Sequence, residues 1–387
     1  MARHPLHDVC LVGAFNATQA RRLEGYTSET ITLEAIRGAL NNAGLTPADV
    51  DGISASTGRR DFGSAHFGYL MGLGPAWTGH AQGSGIPAVL EAAGAIVTGQ
   101  CHTVVVGAGS ASIYTERAST APWTRPNNEF VACWGLFTAA EFALIARRHM
   151  HRYGTKPEHL ATVAATIRNN GHINPDAIYF GRGPFTAQDI LDSRMVADPF
   201  HLLDCAMTSE GGAALVLTTA ERARDLDCQP IYLLGGAKDR YGPSYFVPPS
   251  FDLAGWAGRE AARKSFARAG IETKDVDVAE LYDPFSFEII RQLEAYGFCG
   301  EGEGGDFVME GNIAPGGRIP VTTDGGLMSF SHGGGSVQLL QRIIQSVKQL
   351  RQEAGTRQVT GAKIAMCSNG GAGALYTEVL IVGSERP

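Results

Sequence analysis

The sequence predicts an α/β protein built from two related halves. Three observations carry this: a segment that repeats within the chain, an alternation of strand-like and helix-like stretches, and apolar runs no longer than a strand. The repeat is Leu40-Asn-Asn-Ala-Gly-Leu-Thr-Pro-Ala-Asp-Val-Asp51, leading into Gly52-Ile-Ser-Ala-Ser, and Phe266-Ala-Arg-Ala-Gly-Ile-Glu-Thr-Lys-Asp-Val-Asp277, leading into Val278-Ala-Glu-Leu-Tyr. Gly44 and Gly270 fit the left-handed position that ends a helix, and Asp49 and Asp275 follow at equal distance. Helix, glycine, turn and strand form a common local sequence, so the repeat alone leaves coincidence open. The flanking elements favour duplication.

A helix-like stretch from Thr27 to Ala43 precedes the first copy, and one from Phe251 to Ala269 precedes the second. Each half then places a helix and a strand at its centre. In the first, the helix begins near Ser84-Gly-Ile-Pro-Ala-Val-Leu-Glu-Ala-Ala and the strand is Thr103-Val-Val-Val-Gly-Ala-Gly. In the second, the helix begins near His332-Gly-Gly-Gly-Ser-Val-Gln-Leu-Leu and the strand is Ala362-Lys-Ile-Ala-Met-Cys-Ser-Asn-Gly-Gly. Such alternation is what layers of helix and sheet require. Between Ser110 and about Asp204 it weakens, and aromatic, Pro and Arg residues gather around Ala121-Pro-Trp-Thr-Arg-Pro and Ile178-Tyr-Phe-Gly-Arg-Gly-Pro-Phe. A long insertion between core strands is usually functional and reads as a cap over the site. The expected division is an N-terminal half, 1–225, containing an inserted loop domain at about 110–205, and a C-terminal half, 226–387.

With 387 residues, 44% of them hydrophobic, the chain can build a substantial core. Thr103 to Gly109 and Gly212 to Leu217, among the longest apolar runs, fall far short of the roughly 20 residues of a membrane-spanning helix. The opening residues run directly into the strand-like Val9-Cys-Leu-Val, without a charged-then-apolar leader, so a cytoplasmic protein with no membrane partner is expected. Seven scattered cysteines without a C-x-x-C pair argue against a disulfide framework or a cysteine zinc site. A net charge of −7 and no long Lys/Arg stripe give nucleic acid no electrostatic foothold.

The glycine-rich loops invite a nucleotide reading, which fails. Gly107-Ala-Gly-Ser-Ala-Ser lacks the third glycine and the acidic partner of a dinucleotide fingerprint, and no G-x-x-x-x-G-K-[ST] run exists. Gly333-Gly-Gly and Gly370-Gly-Ala-Gly fit either backbone N–H groups that approach a ligand or tight turn packing.

Four segments, Gln82-Gly-Ser-Gly, Glu280-Leu-Tyr-Asp-Pro-Phe, Gly325-Gly-Leu-Met-Ser-Phe-Ser-His-Gly and Cys367-Ser-Asn-Gly-Gly-Ala-Gly, occur in the order and spacing of the thiolase active-site motifs. The resemblance spans essentially the whole chain. Ser193-Arg-Met-Val-Ala-Asp-Pro-Phe-His-Leu-Leu-Asp-Cys and the stretch Tyr296 to Gly305 are further similar to the thiolase-like lipid-transfer-protein branch that includes steroid side-chain aldolases. The resemblance implies a thiolase fold: two βαβαβαββ halves in a five-layer αβαβα arrangement, with the site where the two central helix N-termini meet.

Set against the family motifs, the nucleophilic cysteine falls on Gln82, followed in register by Gly83, Ser84 and Gly85. A carboxamide cannot form an acyl-enzyme. The Asn of N-E-A-F falls on Tyr282, the G-H-P histidine on His332, the C-x-G cysteine on Cys367, and the oxyanion-binding glycine on Asn369. Some aldolase relatives carry tyrosine where this chain has His332.

What remains is thioester polarisation with proton transfer, which an aldol or retro-aldol step needs. The expected reaction is cleavage of a β-hydroxyacyl-CoA, with a steroid side chain the favoured substrate, to a ketone and a shorter acyl-CoA. Tyr282 is the favoured base, helped or replaced by His332, and Cys367 returns a proton to the enolate. Gln82, Gly83, Asp283, Asn369 and Gly370 are expected to bind substrate. No metal and no cofactor beyond the substrate's own CoA is required. Each choice has a structural alternative: a core-edge Tyr282, a helix-capping His332, a small buried Cys367, and an Asp283 that only bonds a backbone amide. His149 and His151 lie two apart and read as surface or loop-domain residues. The resemblance further implies a homodimer and a small zinc-ribbon and OB-fold partner protein. The rival readings are an acyltransferase or degenerate thiolase using another cysteine, and a non-catalytic acyl-CoA or lipid carrier.

Overall fold

The computed structural model describes residues 3–57, 62–74, 76–80, 85–112, 138–241, 255–334, 337–371 and 376–387. Five strands form the first half: β1 (Val9–Asn16), β2 (Gly52–Thr57), β3 (Trp77–Thr78), β4 (Thr103–Ser110) and, after the insertion, β7 (Gly211–Thr219). They stand in the order β3-β2-β4-β7-β1. In the second half β8 (Ile231–Arg240), β9 (Val278–Glu280), β10 (Ile364–Gly371) and β11 (Tyr376–Gly383) stand in the order β9-β10-β11-β8. A parallel bridge from Ala279 to Val321 supplies the counterpart of β3. In both halves the last strand, β7 or β11, is antiparallel to both neighbours, while β2·β4 and β9·β10 are parallel. The shared order establishes the duplication that the repeated segment suggests.

The repeat marks equivalent corners. Helix α1 (Ser28–Asn42) leads to Gly44 at φ +67°, and α7 (Arg259–Ala269) leads to Gly270 at φ +70°. Asp49 and Asp275 each accept from the backbone N–H three residues earlier, closing a short turn before β2 and β9.

Helices α3 (Gly85–Val97) and α11 (Val337–Leu350) lie in the middle layer, where Ile86, Val89, Ile343 and Val347 join one apolar cluster with Leu11 and Val106 of the first sheet and Leu233, Ala365 and Leu380 of the second. The alternate strand residues face outward: Val105 and Val216 pack under α1, while Val379 and Ile381 pack with α7 and α8 (Ser286–Tyr296). Strands covered on both faces read as unbroken apolar runs, which is why Thr103 to Gly109 shows no alternation. The result is five layers, α1, sheet, α3 with α11, sheet, then α7 with α8. The two sheets also join edge to edge, Cys10 opposite Tyr232 and Leu11 opposite Ile231. Arg351 staples the same seam, donating to Val12 O, Asn42 Oδ1 and Gln229 O.

The insertion contributes α4 (Thr138–Tyr153), α5 (Pro157–His172), α6 (Ala187–Leu191) and a small ribbon, β5 (Met195–Ala197) with β6 (Phe200–His201). It packs on the second half, Phe142 and Phe200 lying 4.9 and 5.0 Å from the Phe285 ring. His149 and His151 both fall in the inserted domain, one of the two places expected for them, but only His151 is at its surface. His149 is fully buried, its Nε2 2.9 Å from Glu294 Oε2 and its Nδ1 2.8 Å from Thr155 Oγ1. The burial follows because α4 is covered on the side that carries His149. No helix among the described residues is long and apolar enough to cross a membrane.

Candidate active site

The site lies where the tip of α3 meets the ends of β9 and β10. Just beyond β9, Tyr282 is pinned by its backbone: its N–H donates to Ser368 Oγ at 3.0 Å and its carbonyl accepts from Gln292 Nε2 at 2.6 Å. Ser368 also donates to Gln292 Oε1 at 2.5 Å, so β10 and α8 hold the tyrosine jointly. The ring packs with Leu327 and Leu339. A Cβ on Gly370 would lie 3.3 Å from its Cδ1, so glycine there lets the ring approach the strand.

His332 follows α10 (Gly326–Ser329) and is 4% exposed. Its N–H donates to Ser209 Oγ at 2.8 Å, and its Nδ1 lies 2.7 Å from Met207 O. A carbonyl only accepts, so Nδ1 carries the proton and Nε2 is the acceptor nitrogen. Burial holds the imidazole pKa down to about 4, against the opposing pull of the Met207 carbonyl, so the ring is neutral at pH 7. Met207 N donates in turn to Leu327 O at 3.2 Å, linking the seat of His332 to the cluster around Tyr282.

Asp283 departs from the expected substrate contact. It is fully buried, and its two oxygens accept from Leu327 N at 2.9 Å and Met328 N at 3.2 Å. A Cβ on Gly326 would overlap the same carboxyl, which fixes glycine at that place. Asp283 therefore closes the turn that leads to His332. Burial raises its pKa to about 7, opposed by Arg342. Beneath this turn Arg342 makes a two-pronged pair with Asp324 at 2.8 and 2.7 Å and lies 3.6 Å from Glu280. Burial, with the Asp324 charge, lifts Glu280 to about 8.

On β10, Cys367 faces the middle layer, its thiol donating to Leu380 O at 3.6 Å, and burial pushes it up to about 12. The thiol form can give a proton but not take one. Asn369 is fully buried on the same side of the strand, two residues nearer the site. Across from it stands Gly85, φ +56°, the first residue of α3; a Cβ there would overlap Asn369 Nδ2 and lie 2.6 Å from Leu339 Cβ. Gln82 and Gly83 lie outside the described residues, just before this helix.

The structure thus gathers Tyr282, Asn369, Gly370 and the tip of α3, joins His332 to them through two hydrogen bonds by way of Met207 and Leu327, and leaves Asp283 in a supporting role. Sequence reasoning missed Met207, Ser209, Ser368 and Gln292. The first acts through its carbonyl and the others through hydrogen bonds to backbone or to one another, and no residue pattern announces such contacts. It also missed Arg168 of the insertion, which donates to Leu203, Cys205 and Met328 carbonyls and so braces the turn before His332.

Residues 249–384 match the family model "Thiolase C-terminal domain-like". The chain is 33% identical to a 17-hydroxy-3-oxo-4-pregnene-20-carboxyl-CoA lyase of Mycobacterium tuberculosis, over 87% of this chain and 89% of that one. It is 31% identical to a steroid side-chain-cleaving aldolase of Thermomonospora curvata, over 86% and 90%. It is 32% identical to an acetyl-CoA acetyltransferase of Methanothermobacter thermautotrophicus, over 95% and 97%. Among solved structures, the Ltp2-ChsH2(DUF35) aldolase superimposes with a TM-score of 0.84 at 28% identity, over 98% of this chain and 99% of that one.

Proposed function

Since this chain belongs to the thiolase superfamily, in the branch that holds the steroid side-chain-cleaving aldolases, we propose that it is a carbon-carbon lyase that cleaves a β-hydroxyacyl-CoA by a retro-aldol step. A base removes the hydroxyl proton and the O–H electrons become the new carbonyl bond. The Cα–Cβ bond breaks, its electron pair passes into the thioester as an enolate, and Cα then takes a proton. The products are a ketone and a shorter acyl-CoA, and no electrons enter or leave. The substrate is a steroid carrying its side chain as the CoA thioester, as the names of two relatives suggest.

The observation that carries this reading is that no described cysteine is prepared as a nucleophile. Burial pushes Cys10, Cys101, Cys205, Cys299 and Cys367 up to about 12, and raises Cys228 as well. Cys133 lies outside the described residues, and position 82, where the family places its nucleophile, is Gln. A thiolate is what acyl transfer needs. Retro-aldol chemistry needs none.

Within this scheme Tyr282 takes the hydroxyl proton, with the Nε2 lone pair of neutral His332 as its relay or its replacement, and the Cys367 thiol returns a proton to the enolate. The N–H groups at the tip of α3 and of residues 369 and 370 stabilise the enolate oxygen. The protein works as a dimer together with a small zinc-ribbon and OB-fold partner that helps bind acyl-CoA; the two-component Ltp2-ChsH2(DUF35) aldolase supports a partner of some kind.

The test is incubation with a panel of β-hydroxyacyl-CoA thioesters, with and without an OB-fold protein encoded nearby, monitoring ketone release. Ketone and shortened acyl-CoA in equal amounts support the lyase. A labelled acyl-enzyme, seen by mass spectrometry without ketone, would establish the acyltransferase instead.

A further inference from the structure

We infer that the side-chain carboxamide of Asn369 is itself a substrate contact, its Nδ2 donating to the thioester oxygen as negative charge gathers there; this deepens the lyase reading and rests on it. The family motif has glycine at this position, where only a main-chain N–H is on offer. This chain adds a second donor.

Two independent observations lead to this. Asn369 is fully buried, and neither Nδ2 nor Oδ1 has a hydrogen-bond partner among the described residues. A buried polar group left in that state is destabilising, a cost that glycine would avoid and that a bound ligand removes. Its place in the fold says which ligand. The carboxamide points at the N-terminus of α3, a helix of 13 residues, close enough that Gly85 has no room for a side chain. Leu339 flanks Gly85 and also packs on Tyr282, and the next residue, Gly370, lies beneath the Tyr282 ring.

Strand geometry sets the aim. Ser368 faces Tyr282 N and Gln292, so its neighbour Asn369 faces the opposite side, toward α3. At that corner the positive end of a helix and a neutral amide donor converge, an arrangement suited to an oxygen that becomes anionic during reaction. An amide needs no ionisation to donate, so its contribution is constant across pH. An aspartate there would repel the same oxygen.

The experiment reads enolate formation apart from cleavage. Wild type, Asn369→Leu and Asn369→Gly are incubated with propionyl-CoA in D2O, deuterium at Cα is followed by mass spectrometry, and ketone release from the β-hydroxyacyl-CoA panel is measured in parallel. Both variants should incorporate deuterium on the order of a hundredfold more slowly than wild type. Asn369→Leu, which removes two unpaired polar atoms, should melt no lower than wild type. The glycine variant keeps the test open if leucine misfolds. Wild-type exchange rates in a folded variant overturn the role of the carboxamide. Exchange by wild type that slows in the variants, without ketone release, upholds that role while overturning the lyase reading; if wild type releases ketone without exchange, the ketone rates decide, and a folded variant that releases ketone at the wild-type rate overturns the role; neither exchange nor ketone from wild type overturns both.

Discussion

The Nδ1 nitrogen of His332 lies 2.7 Å from the carbonyl oxygen of Met207, and this contact decides which side of the ring can accept a proton. Because burial lowers the pKa to about 4, the neutral ring persists as pH falls well past the ordinary histidine value near 6.5. The acid limb of kcat/KM attributable to His332 should therefore lie near pH 4, and activity should hold between pH 5 and 7. A half-loss centred at pH 6.5 that vanishes in His332→Ala would show the ring titrating normally.

Tyr282→Phe should reduce ketone release by at least about a hundredfold, the scale of a lost acid or base. Its backbone bonds to Ser368 and Gln292 do not involve the phenol, so the circular-dichroism spectrum and melting temperature should stay close to wild type. Undiminished turnover would remove the phenol from the mechanism.

For Cys367 the thiol is assigned the return of a proton. Cys367→Ala should slow turnover on the order of a hundredfold while leaving acyl-CoA binding within a few-fold, and Cys367→Ser should recover part of the rate. If alanine turns over like wild type, the residue is only a packing element of the middle layer.

Glu280 makes stability depend on pH. Its folded pKa of about 8 exceeds the ordinary 4.5, so the folded protein keeps a proton that the unfolded chain releases. Its contribution is whole below pH 4.5 and is lost as pH rises toward 8. Relative to wild type, Glu280→Gln should gain at least about 1 kcal/mol on moving from pH 5 to pH 8, read by thermal or urea unfolding. A constant difference would place the proton elsewhere in the Glu280, Asp324 and Arg342 cluster.

Gly85→Ala introduces a Cβ into the space held by Asn369, on a backbone at φ +56°. A loss of roughly 1–3 kcal/mol is expected. Adding Asn369→Gly should recover the steric part and leave the backbone part. Additive effects in the double variant would show that the two residues do not touch.

The architecture was legible because its signals are local and repeated. Gly44 and Gly270 end equivalent helices, the Asp49 and Asp275 turns follow, and apolar runs mark strands covered on both sides. For the candidate site, motif spacing singled out Tyr282 and Asn369, which the fold places around the tip of α3, and His332, which follows the turn that Asp283 closes. Asp283 was misjudged because a carboxylate beside a motif tyrosine reads as chemistry, whereas the backbone of Leu327 and Met328 occupies it. The burial of His149 within the inserted domain was not legible, because a two-residue spacing says nothing about which face of α4 the second half covers. The partners of His332 come from a segment some 125 residues away in the chain, and a carbonyl leaves no mark in the sequence.

The seam at Cys10, Leu11, Ile231 and Tyr232, reinforced by Arg351, has a mechanical consequence. With their edge strands zipped together, the halves cannot swing apart like a clamshell without tearing main-chain ladder bonds. Tyr282, just beyond β9, and Asn369, on β10, are therefore tied through main-chain bonds to the half that carries α3, so bringing them to the tip of that helix calls for no hinge between the halves.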